Sequence, residues 1–398
     1  MRSSPRRRML LGAGILPATL SLAGCGPFRR QESGGPGNDG PSQGGAVTAD
    51  GPATSDPPPS PDRCLSAEEA AQRTRPEPPA REDIGPENEA LPGEHLSIFG
   101  LTLLDDGDRI AANQTSDALM LGDAESFGTV IWSTADGSIL EKYDNGLVGA
   151  IAVDHQGHLA IGGTRTVEMR SAGGEVTGAM TSGEEPFGPR VGPLISDLVF
   201  TVDGSRLVVL GADQRITVWT LGEGGCGMEH ELATDHTSSI ALTISPVDGT
   251  LAVCGESGPV ELWDAATGSR TGTVEGLPGD PAGLAYTEDG TLIVCTDGER
   301  AFHAVSPAGE ITTGPELNER GPYWVTTAPG GRVAQVSRNS NRVTLWERES
   351  DEITELPVVS GSAGRIRFSS DGETLYGASP GNGVIAWSGG EWRTFEAP

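Results

Sequence analysis

Apolar and polar residues alternate through most of the chain after about residue 96, and tight turns interrupt the alternation at regular intervals. The runs LTISPVDGTLAVC and RIRFSSDGETLYGAS each place two alternating segments on either side of an Asp-Gly pair. Such alternation predicts half-buried strands, and the pair between them predicts a β-hairpin because its residues tolerate positive φ. Turns of this kind occur at Asp106-Gly107, Gln156-Gly157, Asp203-Gly204, Asp248-Gly249, Asp289-Gly290, Gly330-Gly331 and Asp371-Gly372.

A second marker follows each turn, where a further strand ends in a large residue. Turn and marker both occur seven times, and the turns are spaced 41 to 50 residues apart. A four-stranded sheet of about 42 residues cannot cover both of its faces, whereas seven such sheets arranged radially cover one another. The pattern therefore predicts an all-β, seven-bladed β-propeller of four-stranded antiparallel blades over residues 96–398. The large residues are Trp132, Met169, Trp219, Trp263, Val305, Trp346 and Trp387.

The fourth repeat, DHTSSIALTISPVDGTLAVCGESGPVELWDAATG, resembles the WD-repeat family. It carries His236 ahead of the first strand, the Asp-Gly turn, and the pair Trp263-Asp264. The resemblance implies a propeller. Ser257 stands where the family has a buried aspartate, so the family's hydrogen-bonded tetrad is incomplete and packing is expected to stabilise the blades. The segment EWRTFEA gives the last blade its own outer strand, which predicts closure by packing of blade 1 on blade 7 without strand exchange.

The N-terminus has the organisation of an export signal. Three arginines precede a 14-residue apolar run, Met9 to Leu22, which is shorter than the roughly 20 residues of a membrane span. Its end, LAGC, resembles a lipobox, so residues 1–24 are predicted to be a lipoprotein signal peptide and Cys25 the lipid-bearing (palmitate-type) first residue of the mature chain. Arg6-Arg7 resembles a twin-arginine signal, and export by the Sec route is the alternative.

Residues 25–95 are predicted to be a disordered, Pro- and Gly-rich tether, since they contain too few large apolar residues to offset the entropy of ordering. Within them Ser66 and Glu69 form a capping-box pattern, which predicts one short helix near residues 67–73.

Four cysteines remain beyond Cys25. Cys64 and Cys226 lie in polar, loop-like contexts and are predicted to form a disulfide. Cys254 and Cys295 lie at matching points of two strands and are predicted to be buried thiols. No Cys or His spacing indicates a metal site.

The net charge of −29 argues against nucleic acid as a partner, because phosphate binding needs a basic surface. An acidic surface is also repelled by anionic lipid, so the acyl chains are expected to hold the protein at the extracytoplasmic face of a bacterial cell membrane. We expect a monomer.

No catalytic, cofactor or phosphate-loop motif is present in the sequence. The sequence therefore favours a protein-binding or scaffolding module that works without a cofactor; the alternative is a propeller-type hydrolase or lyase acting on a small carbohydrate or lactone. Aromatic and arginine residues are common anchors of protein interfaces. For these side chains the plainer interpretation is that they pin their own loops or pair with neighbouring acids. The candidate binding residues are Arg165, Arg215, Arg342, Phe187, Tyr323 and Trp324.

Overall fold

A computed structural model describes fifteen stretches of the chain, all of which belong to one compact unit, Pro58–Pro398. The predicted signal peptide (residues 1–24), Cys25 and most of the predicted tether (residues up to 61 and 74–95) lie outside the described residues. The described stretches are 62–73, 96–104, 107–116, 126–145, 147, 149–163, 165–181, 195–211, 214–222, 225–297, 299–317, 322–337, 342–357, 365–379 and 383–395.

The predicted seven-bladed propeller is confirmed: seven antiparallel sheets each contain four consecutive strands, which we call a to d in chain order. A strand and a helix precede them, β1 (Arg63–Ser66) and α1 (Ala67–Arg73). Blades 1 to 4 are β2 (Leu96–Leu104), β3 (Arg109–Ser116), β4 (Ser126–Ser133), β5 (Ile139–Tyr143); β6 (Ile151–Val153), β7 (Leu159–Gly162), β8 (Thr166–Arg170), β9 (Val176–Thr181); β10 (Ile195–Phe200), β11 (Arg206–Gly211), β12 (Ile216–Gly222), β13 (Gly225–Glu231); and β14 (Ser239–Ile244), β15 (Thr250–Gly255), β16 (Val260–Asp264), β17 (Ser269–Val274). Blades 5 to 7 are β18 (Pro281–Tyr286), β19 (Leu292–Thr296), β20 (Ala301–Val305), β21 (Ile311–Glu316); β22 (Pro322–Thr327), β23 (Arg332–Ser337), β24 (Val343–Glu347), β25 (Glu352–Glu355); and β26 (Ile366–Phe368), β27 (Leu375–Ser379), β28 (Gly383–Ser388), β29 (Glu391–Thr394), with a short 3₁₀ turn at Pro329–Gly331.

The turns between strands a and b lie on one face of the propeller, which we call the turn face. In blade 3 the carboxylate of Asp203 accepts hydrogen bonds from the Thr201 hydroxyl at 2.7 Å and the Ser205 backbone N–H at 3.0 Å. These bonds lower the pKa of Asp203 to about 2. Gly204 has φ 68°, as the tight turn requires. The connections from b to c and from d to the next a lie on the opposite face, the loop face.

Apolar clusters fill the space between every pair of neighbouring blades. The cluster between blades 7 and 1 includes Trp132 and Ile110 from blade 1, and Tyr376 and Phe395 from blade 7. Neither blade takes a strand from the other, so the predicted closure by packing is confirmed.

In blade 2 the strand-c marker that the sequence suggested, Met169, lies one residue before the position that is equivalent to Trp219 of blade 3. Strand b of each blade sets its register: Leu207 pairs with Trp219 in blade 3, whereas the equivalent Leu159 pairs with Arg170 in blade 2. Arg170 also stacks on Tyr143 of blade 1 at 3.9 Å, on the side where the other blades place their aromatic residue. An arginine thus replaces the tryptophan, and a search for large apolar residues misses it.

Part of the region assigned to the tether is folded onto the propeller, which corrects that prediction. β1 pairs antiparallel with β9 and becomes a fifth strand on the outer edge of blade 2. Leu65 is buried and so is Ala70 of α1, and both pack against Ala179. The helix begins with the capping arrangement that the sequence indicates, in which Glu69 accepts a hydrogen bond from the Ser66 N–H at 3.0 Å. The four residues of β1 carry too short an alternation to be recognised as a strand.

Candidate functional site

The seven a strands contact one another in a closed ring around the central channel. The strand registers identify equivalent positions on them near the loop face, which we call the mouth ring. Four of the seven are glycine or alanine, so the three larger residues have room to meet across the channel. The mouth ring consists of Gly100, Ala150, Asp197, Ala241, Gly283, Trp324 and Arg365.

Arg365 crosses the channel at this level. Its Nη2 donates a hydrogen bond of 2.6 Å to the carbonyl of Ser196 in blade 3, and its guanidinium carbon lies 3.7 Å from the ring centre of Trp324 in blade 6. A guanidinium stacked on an indole and hydrogen-bonded beyond it is held in position. The sequence placed Trp324 at the channel entrance, and the structure adds the arginine that stacks on it.

Asp197 is the acidic member of the ring, and its two oxygens are occupied. Oδ1 accepts a hydrogen bond from the Leu198 N–H at 3.1 Å and lies 3.6 Å from Arg365 Nη1. Oδ2 accepts from the Leu242 N–H in blade 4 at 3.0 Å. The mouth is therefore a polar crossing point of blades 3, 4, 6 and 7.

A second polar cluster ties the N-terminal segment to the edge of the loop face. Arg215, in the b to c connection of blade 3, donates to Asp62 at 2.7 Å and 3.1 Å and to Glu231 at 2.7 Å. Two residues after Asp62 along the chain, Cys64 of β1 forms a disulfide with Cys226 of β13. This is the pairing that the contexts of the two cysteines predict, and β1 therefore bridges blades 2 and 3.

The other candidate arginines are not equivalent to Arg215. Arg342 pairs with Glu355 of its own blade at 3.0 Å. Arg165 has φ 54° and corresponds in register to Gln214, with φ 71°, so it is the residue before the Arg215 position. Arg215 and Arg342 thus follow the plainer interpretation, in which these arginines pair with neighbouring acids.

Of the aromatic candidates, Phe187 lies outside the described residues. Tyr323 lies in β22, beside Trp324, and only its backbone is described. Cys254 and Cys295 are buried thiols, and burial raises the pKa of each.

Blade 4 contains a buried network that the sequence did not indicate. Glu261, fully buried in strand c, accepts hydrogen bonds from the Trp263 indole at 3.0 Å and the Asp235 N–H at 2.9 Å. Arg270 lies 3.5 Å and His236 4.0 Å from the same carboxylate. Glu261 thus supplies, from within the strand, the buried acid that Ser257 does not. Sequence reasoning looked for it in the turn and missed it, although its position two residues before the tryptophan is a usable signal.

No helix in the described part of the chain is long and apolar enough to cross a membrane. The same residues contain no group of three or more His, Cys, Asp or Glu placed to hold a metal ion. A shallow depression between blades 2 and 3 is lined mainly by apolar core residues such as Met180 and Trp219.

Comparison with known proteins agrees with this architecture. No family model matches the sequence. Over 153 residues, 35% of this chain, the sequence is 31% identical to Coronin-7 from Mus musculus, a WD-repeat protein, and the match spans 16% of that protein's length. The fold is a WD-repeat-like propeller. A crystal structure of catalytically inactive virginiamycin B lyase from Staphylococcus aureus with quinupristin is also similar to this propeller, with TM-score 0.56 and 16% identity over 74% of this chain and 95% of that one. At that identity the likeness is one of fold.

Proposed function

We propose that this protein is a lipid-anchored, extracytoplasmic propeller that binds another protein at the cell surface through its loop face. The observation that carries the proposal is the Cys64–Cys226 disulfide. Disulfides between structural cysteines persist in oxidising compartments, which supports the export indicated by residues 1–24. The lipid on Cys25 is the anchor in this proposal.

The ion pair between Asp62 and Arg215 supports an orientation. Asp62 binds Arg215 at the loop face, so the tether that begins at Cys25 joins the propeller at the edge of that face. A flexible tether of this length has a reach of roughly 35 Å. A partner bound at the loop face therefore lies close to the membrane surface. The partly exposed mouth residue Trp324, against which Arg365 stacks, offers an aromatic side chain to it, a side-chain type that anchors many interfaces.

The alternative activity, hydrolysis or elimination on a small carbohydrate or lactone, has no such observation behind it. The likeness to virginiamycin B lyase is one of fold, and no reacting residue is carried over from it.

Anchoring is tested by Cys25→Ala. The variant should lose the acyl mass on its N-terminus and move from the detergent phase to the aqueous phase, while Cys254→Ala, a buried thiol, should partition like the wild type. Unchanged detergent partitioning of Cys25→Ala would contradict the anchor.

Binding at the loop face is tested with a photo-cross-linking amino acid at two exposed positions of blade 4, Ser257 on the loop face and Val247 on the turn face. In intact cells we expect one discrete cross-linked species from position 257. This species should be absent when the same chain also carries Trp324→Ala. Equal cross-linking from both positions, or from position 247 alone, would refute the assignment.

A further inference from the structure

One level below the mouth, two residues further along each a strand, lies a second ring of equivalent positions. Six of these residues are uncharged and one is an arginine. Three are threonines, whose hydroxyls donate or accept hydrogen bonds. The second ring consists of Thr102, Ala152, Val199, Thr243, Ala285, Thr326 and Arg367.

Arg367 lies on the opposite face of β26 from Ile366 and Phe368, both of which pack into the core between blades 6 and 7. It shares its face of the strand with Arg365, which projects across the channel. Two side chains two residues apart on one face of a strand run side by side. The Arg367 side chain is thus directed with that of Arg365 towards the channel.

The guanidinium of Arg367, a residue that is only partly buried, forms no hydrogen bond or ion pair with any of the described residues. The acid of the mouth ring, Asp197, accepts hydrogen bonds from the Leu198 and Leu242 N–H groups, and its Oδ1 lies 3.6 Å from Arg365 Nη1. Burial and the like charge of Arg365 lower the pKa of Arg367, whereas the charge of Asp197 acts in the opposite direction. Since an arginine keeps its proton at physiological pH, the guanidinium carries N–H donors that have no acceptor among the described residues.

We propose that Arg367 binds a small oxyanion inside the channel. The fork of a guanidinium matches two oxygens of a carboxylate or phosphate, and a cation that is partly removed from water is stabilised by pairing with an anion. Threonine hydroxyls of the second ring complete the polar lining. Because Arg365 crosses the mouth, the ion enters from the turn face. Nothing in this inference depends on the proposed protein partner.

Isothermal titration of the wild-type mature chain with inorganic phosphate, at constant ionic strength set with chloride, tests the site. We expect saturable binding at one site per chain, and Arg367→Met, which keeps the aliphatic stem, should weaken it at least tenfold. Arg206→Met removes a partly exposed arginine that is paired with Glu229 and should leave phosphate binding unchanged.

Thermal denaturation gives a second readout. Arg367→Met should melt at or above the wild-type temperature without phosphate, since it removes a partly buried cation that lies near the like charge of Arg365, and phosphate should raise only the wild-type temperature. Absence of saturable phosphate binding to the wild type overturns the proposal even if the variant fails to fold. Equal stabilisation by chloride and phosphate, or equal phosphate binding by wild type and Arg367→Met, also overturns it.

Discussion

At the scale of single residues, the bonding inside a blade depends on the strand-c position that lies two residues before the large residue, or before Arg170 in blade 2. In blade 3 the Trp219 indole donates to Thr217 at 2.8 Å, and in blade 4 the Trp263 indole donates to Glu261. In blade 2 Arg170 Nε donates to Glu168 at 2.6 Å, so arginine repeats what the indole does elsewhere. Blades 1 and 7 have apolar residues at this position. The seven residues are Val130, Glu168, Thr217, Glu261, His303, Thr344 and Ile385.

Glu261→Ala should reduce the free energy of unfolding by about 3 kcal/mol or more, because it leaves a buried indole N–H, a backbone N–H and part of the Arg270 charge without their acceptor. Thr217→Val in blade 3 removes one hydrogen bond at nearly constant volume and should cost about 1–2 kcal/mol. Urea unfolding monitored by fluorescence measures both. Equal losses for the two variants would show that the carboxylate network has no special weight.

His303 is buried in blade 5, and burial lowers its pKa below the ordinary 6.5, while Glu299 acts in the opposite direction. Below pH 6.5 the unfolded chain binds a proton that the folded chain excludes. The free energy of unfolding should therefore fall as the pH drops through 6.5, by at most about 1.4 kcal/mol per pH unit.

Between pH 7 and pH 5, the free energy of unfolding of His303→Leu should depend less steeply on pH than that of the wild type. The control His155→Gln, at an exposed turn, should match the wild type. A parallel dependence in His303→Leu and wild type would rule out this role.

At the scale of elements, β1 is a strand that exists because of its neighbours. It has four residues, one of them buried at 4% exposure, and it is held by β9, by the disulfide and by the Asp62–Arg215 pair. Local sequence contains none of these partners, because they lie more than 100 residues away along the chain. The hairpins, by contrast, are local, and their Asp-Gly turns and alternating strands were predictable.

The candidate site divides in the same way. Trp324 was predictable as a channel-entrance aromatic, since the start of strand a in blade 6 follows from the repeat. Arg365, Asp197 and Arg367 were not, because their importance comes from the rings that the registers bring together. The same holds for the partners of Arg215, since Asp62 joins it from the far N-terminal side.

Removing the disulfide by Cys64→Ser with Cys226→Ser should destabilise the protein by about 2–5 kcal/mol, since the bond closes a loop of 162 residues. Differential scanning calorimetry should show the lower melting temperature, and reductant should reproduce it in the wild type. The double variant itself should not respond to reductant. Modification of Cys64 by iodoacetamide in the native, unreduced protein would contradict the bond.

At the scale of the whole molecule, closure depends on side chains and not on a shared strand. Arg393 of β29 donates to the carbonyls of Thr134 and Ala135 in blade 1, both at 2.7 Å. Phe395, at 4% exposure, packs edge-on against Tyr376 in the cluster between the two blades. Arg393 and Phe395 therefore fasten blade 7 to blade 1.

Phe395→Ala should lower the free energy of unfolding by about 3–5 kcal/mol, because it opens a cavity in the closing interface. Val247→Ala on the turn face, where the side chain is 64% exposed, should change it by less than about 0.5 kcal/mol. Hydrogen exchange should show the added opening of Phe395→Ala in blades 1 and 7 first. Uniformly increased exchange in all seven blades would mean that closure is not the weak point.

The position of the Cys64–Cys226 bond also determines where a mechanical load on the N-terminus acts. A pull on residues before Cys64 passes through the covalent bridge into blade 3, and it bypasses the non-covalent start of β2 at Leu96. Blade 1 is thus not in the line of force, and the ring is not peeled open at its closing interface. In a reducing environment the same pull would act on β1 and α1 alone and then on blade 1, so the bridge determines which blade bears the tension.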